Sequence, residues 1–297
     1  MDIRVLNYFL TVAREESISK AAKSLHMTQP PLSRALMELE EEIGKQLLVR
    51  GNRKITLTEE GLLLRKRAAE IISLVKKTED ELTASDTINL QGDIHIGCGE
   101  TDAMHLIART ATKLQEQYPG IRYHLYSGNA EDIHDSLEKG LFDFAVLIEA
   151  SDINNYDHIR IPATDTWGLL MRRDHPLALK SEIHPEDLWE TPLITSRQAE
   201  SANEFSGWFK KNFDQLNIVG TYNLIYNASI MVDEGFGCAL CLDGLINTSG
   251  DSSLAFRPLS PRKYANVDII WKKYQIFTKA AQKFLEQIQL DFIPPAP

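Results

Sequence analysis

Apolar positions at the start of the chain recur at helical spacing. Val5, Leu6, Phe9, Leu10 and Val12-Ala13 form one stripe and predict a helix over Ile3–Glu15, with Asp2 as its cap. Ser17 opens a short second helix to Leu25, and His26-Met27-Thr28 read as a turn. Thr28 then caps a third helix, in which Pro30 and Pro31 occupy the first turn, where a missing N–H costs nothing. Leu32, Leu36, Leu39 and Ile43 give that helix a buried stripe. At about 100° per residue, its opposite face presents Pro30, Ser33, Arg34 and Met37, with Gln29 at the edge.

Beyond Gly44, the run Leu47 to Leu57 predicts two short strands around a basic Gly51-Asn52 turn, a small hairpin or wing. Thr58-Glu59-Glu60 starts a helix that runs to about Leu82, with a cap followed by acids that suit the helix dipole. Gly61, Leu64, Ala68, Ile71, Val75, Thr78 and Leu82 alternate spacings of three and four along it, a heptad-like seam that suggests pairing with a second copy. Ala84 to Gly92 reads as a polar linker. From Asp93 the pattern changes to short strands alternating with helices, implying an α/β domain with parallel sheets. Strands are expected at Ile94–Cys98, Ile121–Tyr126, Phe142–Ile148, Trp167–Met171, Leu193–Thr195, Ile218–Tyr222, Cys238–Leu242, Leu254–Pro258 and Val267–Trp271. Helices are expected at Asp102–Gln117, Ala130–Lys139, Ala199–Asn212, Leu224–Glu234 and Thr278–Gln289.

With 297 residues and 43% apolar content, the chain has the size of two domains and ordinary globular usage. No apolar run approaches the length of a membrane span, and the start of the chain lacks the layout of a signal peptide, so a cytoplasmic protein is expected. The net charge of −10 is unevenly placed. Residues 1–90 hold 14 Lys/Arg and 14 Asp/Glu, whereas the remainder holds 18 and 28, so the whole deficit lies in the larger C-terminal part. Ser17–Met37 carries Lys20, Lys23 and Arg34 with no acid, and Arg50–Lys77 carries eight basic residues against three acids. Local positive charge is what a phosphate-facing surface needs, so the overall balance does not exclude DNA.

The second and third helices, joined by a tight turn with hydrogen-bonding residues at the start of the latter, describe a helix-turn-helix. Gln29 suits a bidentate contact to adenine and Arg34 to guanine, while Arg50, Arg53 and Lys54 of the wing suit phosphates or a minor groove. The acidic run Glu38 to Glu42 would be repelled by phosphate, so only the first half of the helix should enter a major groove. Cys238-Ala239-Leu240-Cys241 is a CxxC in a strand-like apolar run, where residues three apart point to opposite faces, so the thiols read as buried hydrophobes. The three cysteines are too few for a disulfide framework, and no metal spacing, GxSxG motif or other catalytic set is present. No cofactor and no enzymatic activity are expected. Gly97-Cys98-Gly99-Glu100 lacks the third glycine of a dinucleotide turn.

The stretch from Ser19 to Gly61 closely resembles the LysR-type bacterial transcriptional regulators. The matching residues are Ser19-Lys20-Ala21-Ala22, the run Leu25 to Arg34, Leu39-Glu40, Gly44, Leu47, Arg50 and Leu57-Thr58-Glu59-Glu60-Gly61, with Leu48 where the family usually has Phe. Asp93–Gly97, Tyr118–Ile121, Leu137–Val146 and Val232–Leu240 look like the family's effector-binding domain. The resemblance implies an N-terminal winged helix-turn-helix at 1–58, a linker and dimerisation helix with hinge at 59–90, and a C-terminal α/β domain at 91–297. That domain would have two subdomains similar to periplasmic solute-binding proteins (type 2), about 91–161 with 267–297, and about 162–266. By the same resemblance, Thr28, Gln29, Pro30, Pro31, Ser33 and Arg34 face double-stranded DNA, helped by Arg50, Arg53 and Lys54.

A small-molecule effector would bind between the subdomains. Cys98, Gly99, Glu100 and Thr101 form one wall, where helix N–H groups meet a ligand. The resemblance implies further walls at Ser127, Gly128 and Asn129, at Ile148, at Thr195, Ser196 and Arg197, and at Tyr226 and Asn227. Acids at Glu100 and Asp102 would disfavour an anionic effector, so Glu100 faces a cationic or polyhydroxylated ligand or pairs with Arg197. Homodimers through the linker helix, a homotetramer as is frequent in the family, and RNA polymerase for an activator complete the implied partners. A solute-binding sensor without regulated transcription is the alternative.

Overall fold

The computed structural model describes residues 1–51, 54–83, 90–150, 153–201, 205 and 207–293. Two compact units divide the chain, Met1–Thr83 and Ala84–Pro297.

In the first unit, α1 (Ile3–Glu15), α2 (Ile18–Ser24) and α3 (Gln29–Ile43) begin at residues suited to the purpose. Asp2 accepts a bond from the Arg4 N–H and Ser17 from that of Lys20, which satisfies donors a helix start leaves open. Thr28 stands at the α3 cap position without a side-chain cap bond, and Gly44, at φ 70°, ends that helix in the left-handed region. Phe9, Val12, Ala21, Leu32, Leu36 and Leu39 close around Leu47, Leu48 and Ile55 as one core. Ile43, expected in the stripe, is exposed, because the core ends one turn earlier at Leu39. β1 (Leu48–Arg50) and β2 (Ile55–Leu57) pair antiparallel as the wing.

α4 (Glu59–Thr83) starts at Thr58, whose hydroxyl donates to the Gln46 carbonyl and accepts from the Gly61 N–H. The expected seam is not all free for a second copy. Gly61 and Ala68 are buried within the unit, where α4 packs on α1, and only Thr78 and Leu82 at its far end are fully exposed.

The second unit is built on one mixed sheet. β3 (Gln91–Cys98) lies between β4 (Gly120–Ser127) and β5 (Phe144–Ile148), all parallel. α5 (Met104–Gln117) and α9 (Lys279–Phe292) bury Ile107, Leu114, Phe284 and Ile288 on one face, and α6 (Ala130–Glu138) buries Ile133 and Leu137 on the other. A second lobe has β7 (Leu193–Ser196) between β8 (Ile218–Tyr222) and β9 (Cys238–Leu242), again parallel, with α8 (Ile225–Asp233) packed on it.

β6 (Tyr156–Arg172) and β11 (Tyr264–Lys272) join the lobes. The first part of β6 pairs antiparallel with β11, and its last residues pair with β9 and with β10 (Leu254–Pro258). The sheet is therefore mixed and not parallel as expected, since two strands carrying the chain out and back must run in opposite directions. The expected helix Ala199–Asn212 also fails. Among the described residues α7 covers Arg197–Ser201, and Gly207 and Lys210 have φ of 73° and 56°, which no α-helix admits. Phe205 and Phe209 are instead buried beside Trp167.

Candidate functional site

In the first unit the leading turn of α3 presents an exposed polar surface. Thr28, Gln29, Pro30, Pro31 and Arg34 are exposed and Ser33 is half-buried, so the structure brings these residues together. Two bonds position the longer side chains. The Ser19 hydroxyl on α2 donates to Gln29 Oε1 at 3.0 Å, and Arg34 Nε donates to Glu38 Oε1 at 2.9 Å, one turn on. The Glu38 bond engages Nε and leaves out the terminal nitrogens that reach a guanine edge.

The acidic run is not a bare negative surface. Glu38 pairs with Arg34, Glu42 pairs with the N-terminal ammonium, and Glu40 Oε1 accepts from the Leu47 and Leu48 amides at 2.7 and 3.0 Å. Lys54 at the wing pairs with Glu16 at 3.3 Å. The backbone of Arg50 ends β1, while its side chain, like Arg53, lies outside the described residues.

In the second unit a cleft, partly open to solvent, lies between the lobes. Gly99, Glu100, Gly128, Ile148 and Ser196 line it, and Asn129 and Arg197 line an adjoining compartment that shares Ile148. Cys98, Thr101, Ser127, Thr195, Tyr226 and Asn227 line neither. Thr101 is buried and its hydroxyl caps the Ala103 N–H at 3.1 Å, whereas Tyr226 and Asn227 are exposed. Trp167 on β6, Gln198 on α7, Tyr222 at the end of β8, and Asn223 and Leu245 in turns line the cleft without a sequence signal, because tertiary folding brings them together.

Glu100 corrects the expectation of a pair with Arg197. Its carboxylate accepts from the Ile225 N–H at 2.6 Å, across the cleft, instead of meeting Arg197. From the other side, Gln198 Oε1 accepts from the Ala130 N–H at 3.3 Å. Burial, then the charges of Cys241 and Glu100, push the Tyr222 phenol well above its ordinary range. The indole N–H of Trp167 and the hydroxyl of Thr195 are buried without a hydrogen-bond partner among the described residues.

The family pattern described as LysR substrate binding domain matches residues 89–291, and that of the bacterial regulatory helix-turn-helix protein, lysR family, matches residues 3–62. The chain belongs to the LysR family. It is a LysR-type DNA-binding transcriptional regulator with an effector-binding domain. Among its relatives, the uncharacterized HTH-type transcriptional regulator YvbU of Bacillus subtilis is 27% identical over 96% of this chain and 97% of its own. A hydrogen peroxide-inducible genes activator of Pectobacterium carotovorum is 30% identical over 65% of this chain and 64% of its own. In fold, this regulator resembles full-length CbnR complexed with its target DNA, at a TM-score of 0.76 and 20% identity, covering 98% of this chain and 100% of that one.

The cysteines of this LysR-type regulator are buried. Cys238 and Cys241 belong to clusters on opposite faces of β9, and Cys98 lies at the end of β3. Burial pushes the Cys238 thiol up to about 11 and raises those of Cys98 and Cys241. Among the described residues, no group of His, Cys, Asp or Glu is placed to hold a metal ion, and no helix is long and apolar enough to cross a membrane.

Proposed function

We propose that this regulator reads DNA with the leading turn of α3 and is controlled by a small molecule held in the cleft of its second unit. The observation that carries the reading is the exposed row Thr28, Gln29, Pro30 and Arg34, with Gln29 held by Ser19 and Arg34 by Glu38. The Ser19 bond engages the Gln29 carbonyl, so its NH₂ is available to donate to adenine N7, while Arg34 addresses guanine. Arg50, Arg53 and Lys54 act from the wing on phosphates. Lys54 would exchange its exposed bridge to Glu16 for a phosphate at little cost, because such surface pairs are worth about 0–1 kcal/mol.

The working unit is a homodimer through the exposed part of α4, assembling further to a tetramer, in the cytoplasm where the DNA is. An activator would also touch RNA polymerase. Its relatives are transcriptional regulators, and the role is that of a switch and not of an enzyme. Domain limits of 1–58, 59–90 and 91–297 follow the same reading. Effector occupancy would favour one lobe arrangement and so change how paired heads meet DNA. Peroxide sensing is disfavoured, since a thiol buried and held protonated at neutral pH is a poor nucleophile.

Footprinting on the DNA beside its own gene, with and without a metabolite panel, tests the proposal. A protected site that changes with one metabolite is expected. Replacing Gln29 and Arg34 by Ala should relax sequence preference, each lost base contact costing about 1–3 kcal/mol. Unchanged discrimination in that double variant would remove the assignment.

A further inference from the structure

Two of the helices that begin at the cleft, α8 and α6, are met at their starts by a side chain from the opposite lobe. α8 has nine residues, no acid in its first turn, and an N-cap, Leu224, that makes no side-chain cap bond. The missing acceptor comes from Glu100, 125 residues earlier in the chain, at 2.6 Å from the Ile225 nitrogen. α6, which Asn129 caps from its own chain, receives Gln198 in addition, at the Ala130 nitrogen. A helix start with open N–H groups and a positive dipole end is where a ligand's anionic group would be held. Here the protein has already placed one of its own carboxylates there.

We infer that Glu100 determines what the cleft accepts: its carboxylate takes, at the start of α8, the place of an effector's carboxylate or phosphate, so the ligand is uncharged or cationic at that end. The rest of the lining agrees. Glu149 adds a second carboxylate, and Ile148, Leu242 and Leu245 are apolar. Glu149 accepts from the Asn266 N–H at 2.6 Å, on the connecting strand β11 beside it, so it too is already engaged. An anionic ligand would have to displace Glu100 from its bond and then sit beside it. The regulatory meaning rests on the effector reading of the cleft, but the assignment of Glu100 is tested without it.

Chemical rescue of full-length Glu100→Ala provides the test, with acetate as the probe. Truncation leaves a carboxylate-sized gap at Ile225, so the variant should melt below the wild type. Acetate at tens of millimolar should raise its melting temperature by about 3 °C over equal chloride, a stabilisation by ligand binding to the folded state. Wild type and Glu100→Gln, whose gap is filled, should not respond. An equal response in all three proteins, or none in Glu100→Ala, overturns the inference.

Should Glu100→Ala fail to fold, hydrogen exchange on Glu100→Gln decides. Exchange at Ile225 should rise about tenfold, because a neutral acceptor bonds more weakly than a charged one, with Val232 unchanged. No change at Ile225 overturns the inference. The two readings fail separately: a cleft without an effector leaves the footprint indifferent to every metabolite while the acetate response persists.

Discussion

Glu40 shows how one side chain takes a role its neighbours in sequence do not suggest. It stands in a run of acids on α3, yet one of its oxygens holds the amides of Leu47 and Leu48 at the entry to the wing. Glu40→Ala would leave two part-buried N–H groups without an acceptor. The expected loss is about 1–3 kcal/mol, read as an earlier urea transition of the full chain, with Glu40→Gln recovering part of it. Sequence pattern identified the exposed row on α3, because helical spacing and cap residues determine which side faces out. It did not identify the partners Ser19, Glu16 and Glu38, nor the Glu100 bond to Ile225. Those contacts depend on which loop returns beside which helix, and the bond at Ile225 joins residues 125 apart in the chain.

At the scale of elements, helix α4 meets the rest of its unit at a point where no Cβ fits. A Cβ on Gly61 would lie 2.1 Å from the Leu47 carbonyl oxygen, a backbone atom that cannot turn aside. Alanine there gains about 1 kcal/mol of helix propensity, but forcing the helix off that carbonyl costs about 1–3 kcal/mol, so the close approach wins. Gly61→Ala should therefore lower the melting temperature and weaken DNA binding by displacing the wing, whereas Ala69→Gly at an exposed position of the same helix should cost only the propensity. The helices of the first unit were legible in place, since Asp2, Ser17 and Thr58 start three of them, apolar spacing marks their buried sides and Gly44 ends α3. The segment after Ser201 was not, because its aromatic residues at Phe205 and Phe209 mimic a helical stripe while filling a tertiary pocket. The first half of β6 also went unseen, as its partner β11 lies about a hundred residues away and lends it no local signal.

For the molecule as a whole, carboxylates of opposite character shape the response to acid. Asp291 accepts from Thr110, Lys113 and Gln287, tying α9 to α5. Burial works against its charge, but those bonds and the lysine outweigh it and hold the carboxyl below the ordinary range. Its contribution is therefore present above the ordinary carboxylate pKa and is lost as pH falls through the lowered value. Asp165 is the reverse: burial, with the charges of Asp102 and Asp243, outweighs a bond from Thr101 and raises its pKa. That is a penalty present at neutral pH and absent below about pH 4, where the carboxyl is protonated in both folded and unfolded chains. Melting curves across pH should show Asp291→Asn losing stability at pH 7 and Asp165→Asn gaining it, both differences shrinking in acid. Differences that persist unchanged at low pH would refute the assignment of either group.

The paired strands β6 and β11 carry a last consequence. Because they lie side by side and share a hydrogen-bonded ladder, with one irregularity between Asn266 and Asp268, they behave as a ribbon and not as two independent threads. A ribbon stretches and shears reluctantly, but it winds about its long axis at small cost. If an effector moves one lobe against the other, this ribbon favours a twist about its long axis over a loose opening.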